Sequence, residues 1–261
     1  MSFRRWRDHF EHNRLRPVPD LAGAGAGLPP GWAAPLARTL AVFQLGESKG
    51  GRLAHEIDEV PGLDVDYRAA VKLFVGEEIR HGRLLALCVE GLGGRLLTST
   101  WTESLFVVAR RLLGVRFKLV VLLAAETVGL GFYRTLASRL PAGPLRDCLD
   151  ELCADEVQHL RFHADAFGGR RGFRLAWYPV VAAAALVVVV DHRATLRTLG
   201  VPLHEAARRL AAEIGRVARG LQVAPRRDGR VGDQEAGDDR DCDHEHGEGG
   251  LDAGQGVAIE Q

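Results

Sequence analysis

The chain has 261 residues, enough for one sizeable core with appended helices, and its 46% hydrophobic and 26% charged content is that of a globular protein. Basic and acidic residues number 34 each, but 4 basic and 11 acidic residues from 224 to 261 leave the first 223 with a net charge of +7. The four cysteines (Cys88, Cys148, Cys153, Cys242) form no C-x-x-C pair, which argues against a disulfide scaffold and for a reduced, cytoplasmic protein.

Residues 1–31 read as an irregular leader ending in a Gly/Pro-rich stretch from Ala22 to Pro30. Its start, MSFRRWRDHFEHNR, has no apolar run after the basic residues, so no signal peptide is expected. Arg4, Arg5 and Arg7 beside Trp6 read as solvated, and no stacking or groove motif points to nucleic acid. Residues 32–170 carry four long helical patterns. The first is expected from Ala34 to Val60, with Pro35 in its first turn and Pro61-Gly62 as its stop. The second is expected after Asp66 as N-cap, ending near Gly91 to Gly94. A connector with a short amphipathic piece, Glu103 to Leu113, leads to a third helix from Val115 to Leu140. The fourth runs from Pro144 to Phe167.

Residues 171–223 are expected to add further helices. Leu175 to Val190 is apolar but contains Pro179 and is short of the ~20 residues that span a bilayer. It reads as a buried fifth helix, with a peripheral membrane contact as the alternative. An Arg-rich amphipathic helix from Leu203 to Leu221 follows, and residues 224–261 read as a disordered acidic tail. The metal-binding side chains within Asp241 to His246 read as part of that acidic tail and not as a site.

Two Glu-x-x-His motifs carry the chemistry: Glu78-Ile-Arg-His81 and Glu156-Val-Gln-His159. Residues three apart share a helix face, so each pair can grip one metal ion. Glu47 precedes Glu78 by 31 residues and Glu126 precedes Glu156 by 30, so the pattern is duplicated. Both lone glutamates and both motifs lie roughly 21–24 Å from their intervening turns at 1.5 Å per residue, so each antiparallel hairpin brings Glu opposite Glu-x-x-His. All four glutamates sit on apolar stripes. Glu47 has Leu40, Phe43, Gly51 and Ala54 at helical spacing, and Glu78 has Val71, Phe74, Val75 and Leu85. Glu126 has Leu119, Leu122, Leu123, Leu130 and Tyr133, and Glu156 has Leu149, Leu152 and Cys153. Four buried carboxylates cannot all stay ionised unpaired, and two divalent cations would neutralise them.

This ligand pattern resembles the ferritin-like di-iron and di-manganese carboxylate proteins. The wording around the motifs, Glu77-Glu78-Ile-Arg-His81-Gly82 and Asp155-Glu156-Val-Gln-His159, is similar to soluble acyl-carrier-protein desaturases, and bacterioferritins share the ligand set. The resemblance implies an all-α, ferritin-like four-helix bundle with a long crossover and extra C-terminal helices. It implies two iron ions, or manganese as the alternative, held by Glu47, Glu78, His81, Glu126, Glu156 and His159. Glu77, Asp155 and His163 are candidates for the surrounding shell, with Glu77 and Asp155 orienting His159 and His81 across the bundle. The implied activity is that of an oxidoreductase using O2, an electron donor and an apolar small-molecule substrate. Iron or peroxide handling of the bacterioferritin or rubrerythrin type is one alternative, and a membrane-associated protein with structural metal is another. Two departures matter. Leu85 stands where ribonucleotide reductase small subunits carry a radical tyrosine, and Gly129 stands where desaturases carry a threonine, with Thr127 elsewhere. His55 reads as structural or exposed, Tyr133 as packing, and Cys88 as a core filler.

Overall fold

The computed structural model describes residues 2–48, 51–99, 114–167 and 171–223, and among them every regular element is helical. In chain order these are α1 (Arg4–Asn13), α2 (Ala33–Glu47), α3 (Gly51–Glu56), α4 (Val65–Gly91), α5 (Gly114–Ala137), α6 (Pro144–Phe167), α7 (Arg171–Asp191), α8 (Arg193–Thr198) and α9 (Leu203–Val223). The connector piece at 103–113 and the tail from 224 lie outside the described residues.

Local chemistry explains most boundaries. The first long pattern is two helices: α2 is capped at Ser48 and α3 starts at Gly51. Glu47 is thereby the last residue of α2. At the next turn Gly62 takes φ 70°, a left-handed conformation that favours glycine. Asp64, two residues before the expected cap, accepts a 2.8 Å hydrogen bond from the Tyr67 N–H and starts α4. The fourth long pattern begins and ends where the sequence indicates, at Pro144 and Phe167.

The leader departs most from expectation. Residues 4–13 form α1, and Phe3 at its N-cap is buried with Trp6 and Phe10 against Tyr67, Phe74 and Phe162. Its arginines are engaged rather than free: Arg5 pairs with Asp165, and Arg7 with Asp66 at 2.5 Å. Trp6 donates its indole N–H to Asp165 at 2.7 Å. An i, i+3, i+4 pattern of apolar residues preceding the main helices carries this element, and the arginines border it.

Packing pairs α2 and α3 with α4, and α5 with α6, while α1 lies on α4. Then α7 and α9 cover α5, and α8 touches α2. Gly82 permits one close approach: a Cβ there would stand 2.9 Å from Ser48 Oγ and 3.5 Å from Glu47 Cβ. That contact sets the end of α2 beside α4 at the level of Glu78. The core has two apolar clusters. One includes Leu84, Leu85, Leu149 and Leu152, and the other includes Phe10, Phe74, Val75 and Phe162. Along α4 the ionisable residues 77, 78 and 81 fall between the two.

The fifth long helix is not simply buried. Although α7 runs through Pro179 without a break and buries Trp177, Val181, Ala184 and Val189, Leu175 is 74% and Leu186 66% exposed. The apolar windows Leu119–Ala137 in α5 and Gly172–Asp191 in α7 are both long enough to cross a membrane by length and composition; the first is mostly inside the protein and the second mostly outside.

Candidate metal centre

Two helices meet with their ionisable faces together. From α4 come Glu77, Glu78 and His81, and from α6 Asp155, Glu156 and His159, all buried. Helical spacing puts Glu78 and His81 one turn apart, and the same holds for Glu156 and His159. Ligand atoms of Glu78, His81, Glu156 and His159 lie within 4.8 Å of one another, so this buried group could hold a metal ion.

The rings are oriented alike. His81 Nδ1 stands 3.4 Å from Glu156 Oε1 and 3.8 Å from Glu78 Oε1. His159 Nδ1 stands 3.0 Å from Glu78 Oε1 and 3.5 Å from Glu156 Oε2. The outer nitrogens bind carboxylates of the opposite helix: His81 Nε2 lies 3.1 Å from Asp155 Oδ2, and His159 Nε2 3.0 Å from Glu77 Oε2. With Nε2–H donated outward, each Nδ1 is left with a lone pair facing the carboxylate cluster, the orientation metal-binding histidines adopt.

The other expected residues lie around this group. Glu47 is partly exposed as a residue, yet its carboxyl sits against that of Glu78 and accepts a 3.3 Å hydrogen bond from the Tyr133 hydroxyl. Tyr133 therefore does more than pack. Glu126, on α5, is buried, and His163 Nε2 lies 3.0 Å from its Oε1. The His163 ring thus engages a carboxylate outside the group of four. Thr127 spends its hydroxyl on the Leu123 carbonyl at 2.6 Å, and His55 is exposed, remote in character from the buried cluster.

Whether these residues fit a metal can be judged from atoms left over. His81 Nδ1, His159 Nδ1, Glu78 Oε1, Glu156 Oε2 and Glu126 Oε2 are buried without a hydrogen-bond partner. Buried polar atoms are nearly always satisfied, so the four such atoms in the group, with Glu126 Oε2 as a fifth outside it, could be served by a metal ion, or by protons on the two rings. Imidazole nitrogens and carboxylate oxygens together suit a first-row divalent ion. The residues fit.

Electrostatics shows how the same residues behave with protons in place of metal. Burial works to raise the Glu78 pKa, but the close approach of His159 and the charge of His81 hold it down at about 2. Burial works to lower His81, but Asp155 and Glu156 hold it up at about 9. His159 is likewise pushed well up, against its burial, by Glu156, Glu77 and Glu78. Glu47 is raised well above the ordinary carboxylate range by burial and by the charges of Glu78 and Glu156. Burial also raises Glu126, partly offset by His163. Two imidazolium rings can therefore offset carboxylate charge in the group, while burial pushes the flanking Glu47 and Glu126 toward their neutral forms.

Sequence reasoning missed the outer ring of this site. Arg16, just after α1, reaches both Glu77 and Asp155, and Asn13 donates to Glu77 Oε1 at 2.9 Å. Arg80 binds Glu151 at 2.7 Å and the Pro17 carbonyl at 3.1 Å. Only the apolar spacing of Phe3, Trp6 and Phe10 signalled that this segment would dock. No family model, curated protein or solved structure matches the chain.

Proposed function

We propose that the chain is a ferritin-like four-helix bundle, built from α2–α3, α4, α5 and α6, that holds two iron ions and works as an O2-dependent oxidoreductase. The ions would be held by Glu47, Glu78, His81, Glu126, Glu156 and His159, with manganese as the alternative metal. The observation that carries this reading is the pair of inward Nδ1 atoms, each on a ring whose Nε2 is fixed by a carboxylate of the other helix. Bound there as Fe2+, the pair would supply the electrons for O2 reduction, replenished by an external donor. The chain's own part is to orient the rings and keep water out. Phe74 lies edge-on to His159 at 4.7 Å between ring centres, and Phe10 is 5.9 Å away on the leader side. Such an apolar surround suits an apolar organic substrate.

The test is metal analysis of anaerobically purified protein, then single-turnover O2 consumption by the reduced form. The reading expects about two iron ions per chain and O2 consumption that changes with an apolar organic substrate. Oxidation of many added Fe2+ per chain, indifferent to organic substrate, would point instead to iron handling of the bacterioferritin type. Metal-loaded, reduced protein that ignores O2 would leave a structural metal.

The exposed stripe of α7 favours one addition: Leu175, Tyr178, Leu186 and Val190 seat a cytoplasmic protein against a lipid surface. Sedimentation with phospholipid vesicles should be lost in a Leu175→Glu, Leu186→Glu double variant. Equal sedimentation of both proteins, or none by either, would remove the membrane contact.

A further inference from the structure

We propose that Arg16 is a positioning residue that fixes both metal-facing histidines at once, an inference that rests on the di-metal reading above. Arg16 Nη2 lies 2.6 Å from Glu77 Oε1 and 2.6 Å from Asp155 Oδ2, and Nη1 lies 2.9 Å from Asp155 Oδ1. Nη1 also stands 3.6 Å from Glu151 Oε1. Glu77 and Asp155 are the two carboxylates that accept from His159 and His81. One guanidinium thus closes a crossed arrangement: the carboxylate of α4 steadies the ring of α6, and the carboxylate of α6 steadies the ring of α4.

Chemistry requires something at this place. Glu77 and Asp155 are 6% and 4% exposed, and as neighbouring anions they repel one another. A planar fork with five donors can bind two carboxylates at fixed angles, which a lysine ammonium cannot do. Arg16 is itself held. Its Nε donates to the Asn13 carbonyl at 3.3 Å, and Phe3, Trp6 and Phe10 anchor the preceding helix in the aromatic cluster. The leader is therefore part of the metal centre, although it lies outside the helices that bear the ligands. Asn13 is the built-in control. It touches Glu77 and His9 but not Asp155, so it can act on His159 alone.

The experiment uses full-length Fe2+-loaded protein and the variants Arg16→Gln, Arg16→Lys and Asn13→Ala. Two readouts are taken: the rate of iron release to a chelator, and the paramagnetically shifted, exchangeable proton signals of the two histidine N–H groups. Losing a partner of a metal-bound histidine costs roughly 10–100-fold in metal affinity. Arg16→Gln leaves those partners present but unfixed, so it should speed release by up to about that factor and move both N–H signals. Arg16→Lys should restore release only in part, and Asn13→Ala should move one signal. Unchanged release with both signals in place in Arg16→Gln would overturn the proposal. So would a drop in melting temperature shared by apo and loaded protein with neither signal moved, since Arg16 would then only hold the leader down. Wild-type protein that takes up no iron pair would instead refute the di-metal reading itself.

Discussion

A metal ion bound in this centre would compete with protons for the same atoms, and the competition can be given a size. His81 is raised from 6.5 to about 9, so its protonation stabilises the metal-free fold. The sign follows from the direction of the shift. The contribution is fully present below pH ~6.5 and is lost as pH rises through about 9. At about 1.4 kcal/mol per pH unit, a shift of that extent corresponds to about 3 kcal/mol for His81 in the apo protein. His159, shifted the same way, acts in the same direction. A metal ion needs both Nδ1 atoms deprotonated, so each ring gives up a proton on binding. Apparent metal affinity should therefore fall about tenfold per pH unit as pH drops below about 9 on account of His81, and His159 steepens the fall in the same direction. Calorimetric titration of apo protein with Mn2+ or anaerobic Fe2+ at about pH 7.5, in two buffers of different ionisation enthalpy, counts the protons released. One proton from each ring is expected, since both rings are raised above the ordinary histidine range. Thermal melts complete the assay: apo protein should lose stability from pH ~6.5 to about 9, and metal-loaded protein should hold it. Release of fewer than one proton, with affinity flat across that range, would refute the reasoning.

Glu78→Ala and Glu156→Ala should each cut metal content well below two ions per chain by elemental analysis, and full occupancy in both would remove the site. Phe10→Ala should cost about 3–5 kcal/mol in urea unfolding, because Phe10 is 1% exposed and joins α1 to α4 and α6. A change below about 1 kcal/mol would mean the leader does not dock. Gly91→Ala should destabilise clearly in the same assay, since a Cβ there would stand 2.1 Å from the Leu21 carbonyl oxygen, a backbone atom that cannot swing away. Removing residues 224–261 should leave iron content and melting temperature unchanged, and loss of metal would contradict the reading of that segment as an accessory tail.

The features legible in the sequence were those fixed by local geometry. A Glu-x-x-His pair announces itself through the three-residue spacing that aligns both side chains on one helix face. The crossed carboxylates were legible for the same reason: Glu77 and Asp155 directly precede the motif glutamates, which turns them toward the neighbouring helix. The boundaries of α6 followed from Pro144 and the glycines after Phe167. Other features were set by long-range contact and left weak traces. Arg16 is 61 residues from Glu77 and 139 from Asp155, and no spacing rule links them. The leader was obscured by its charge, which drew attention to Arg4, Arg5 and Arg7 and away from the apolar side of the same helix. The break after Glu47 was illegible because the apolar pattern runs on into α3. The covering of α7 was illegible for a different reason. Its sequence is apolar all round, so composition alone could not separate the face against α5 from the face left outside.

The duplication in the sequence suggests two equal half-sites, and the structure shows why they are unequal. The lone glutamate of the first hairpin, Glu47, receives the neutral hydroxyl of Tyr133 at 3.3 Å. That of the second, Glu126, meets the imidazole of His163 at 3.0 Å. The position four residues after His159 is this histidine, whereas four after His81 stands Leu85, a buried apolar side chain. The leader adds to the difference, since Asn13 donates to Glu77, the partner of His159, and among the described residues no such amide reaches Asp155. Glu47 is also partly exposed as the last residue of α2, while Glu126 is buried inside α5. Glutamates related by duplication are thus held by partners that are not. On the di-metal reading this gives the two ions different surroundings: the half-site of Glu47 is bounded by a helix terminus, and that of Glu126 by a helix packed on α6, α7 and α9. Access for a small reactant is then expected on the Glu47 side, where a side chain can turn aside without unpacking the core.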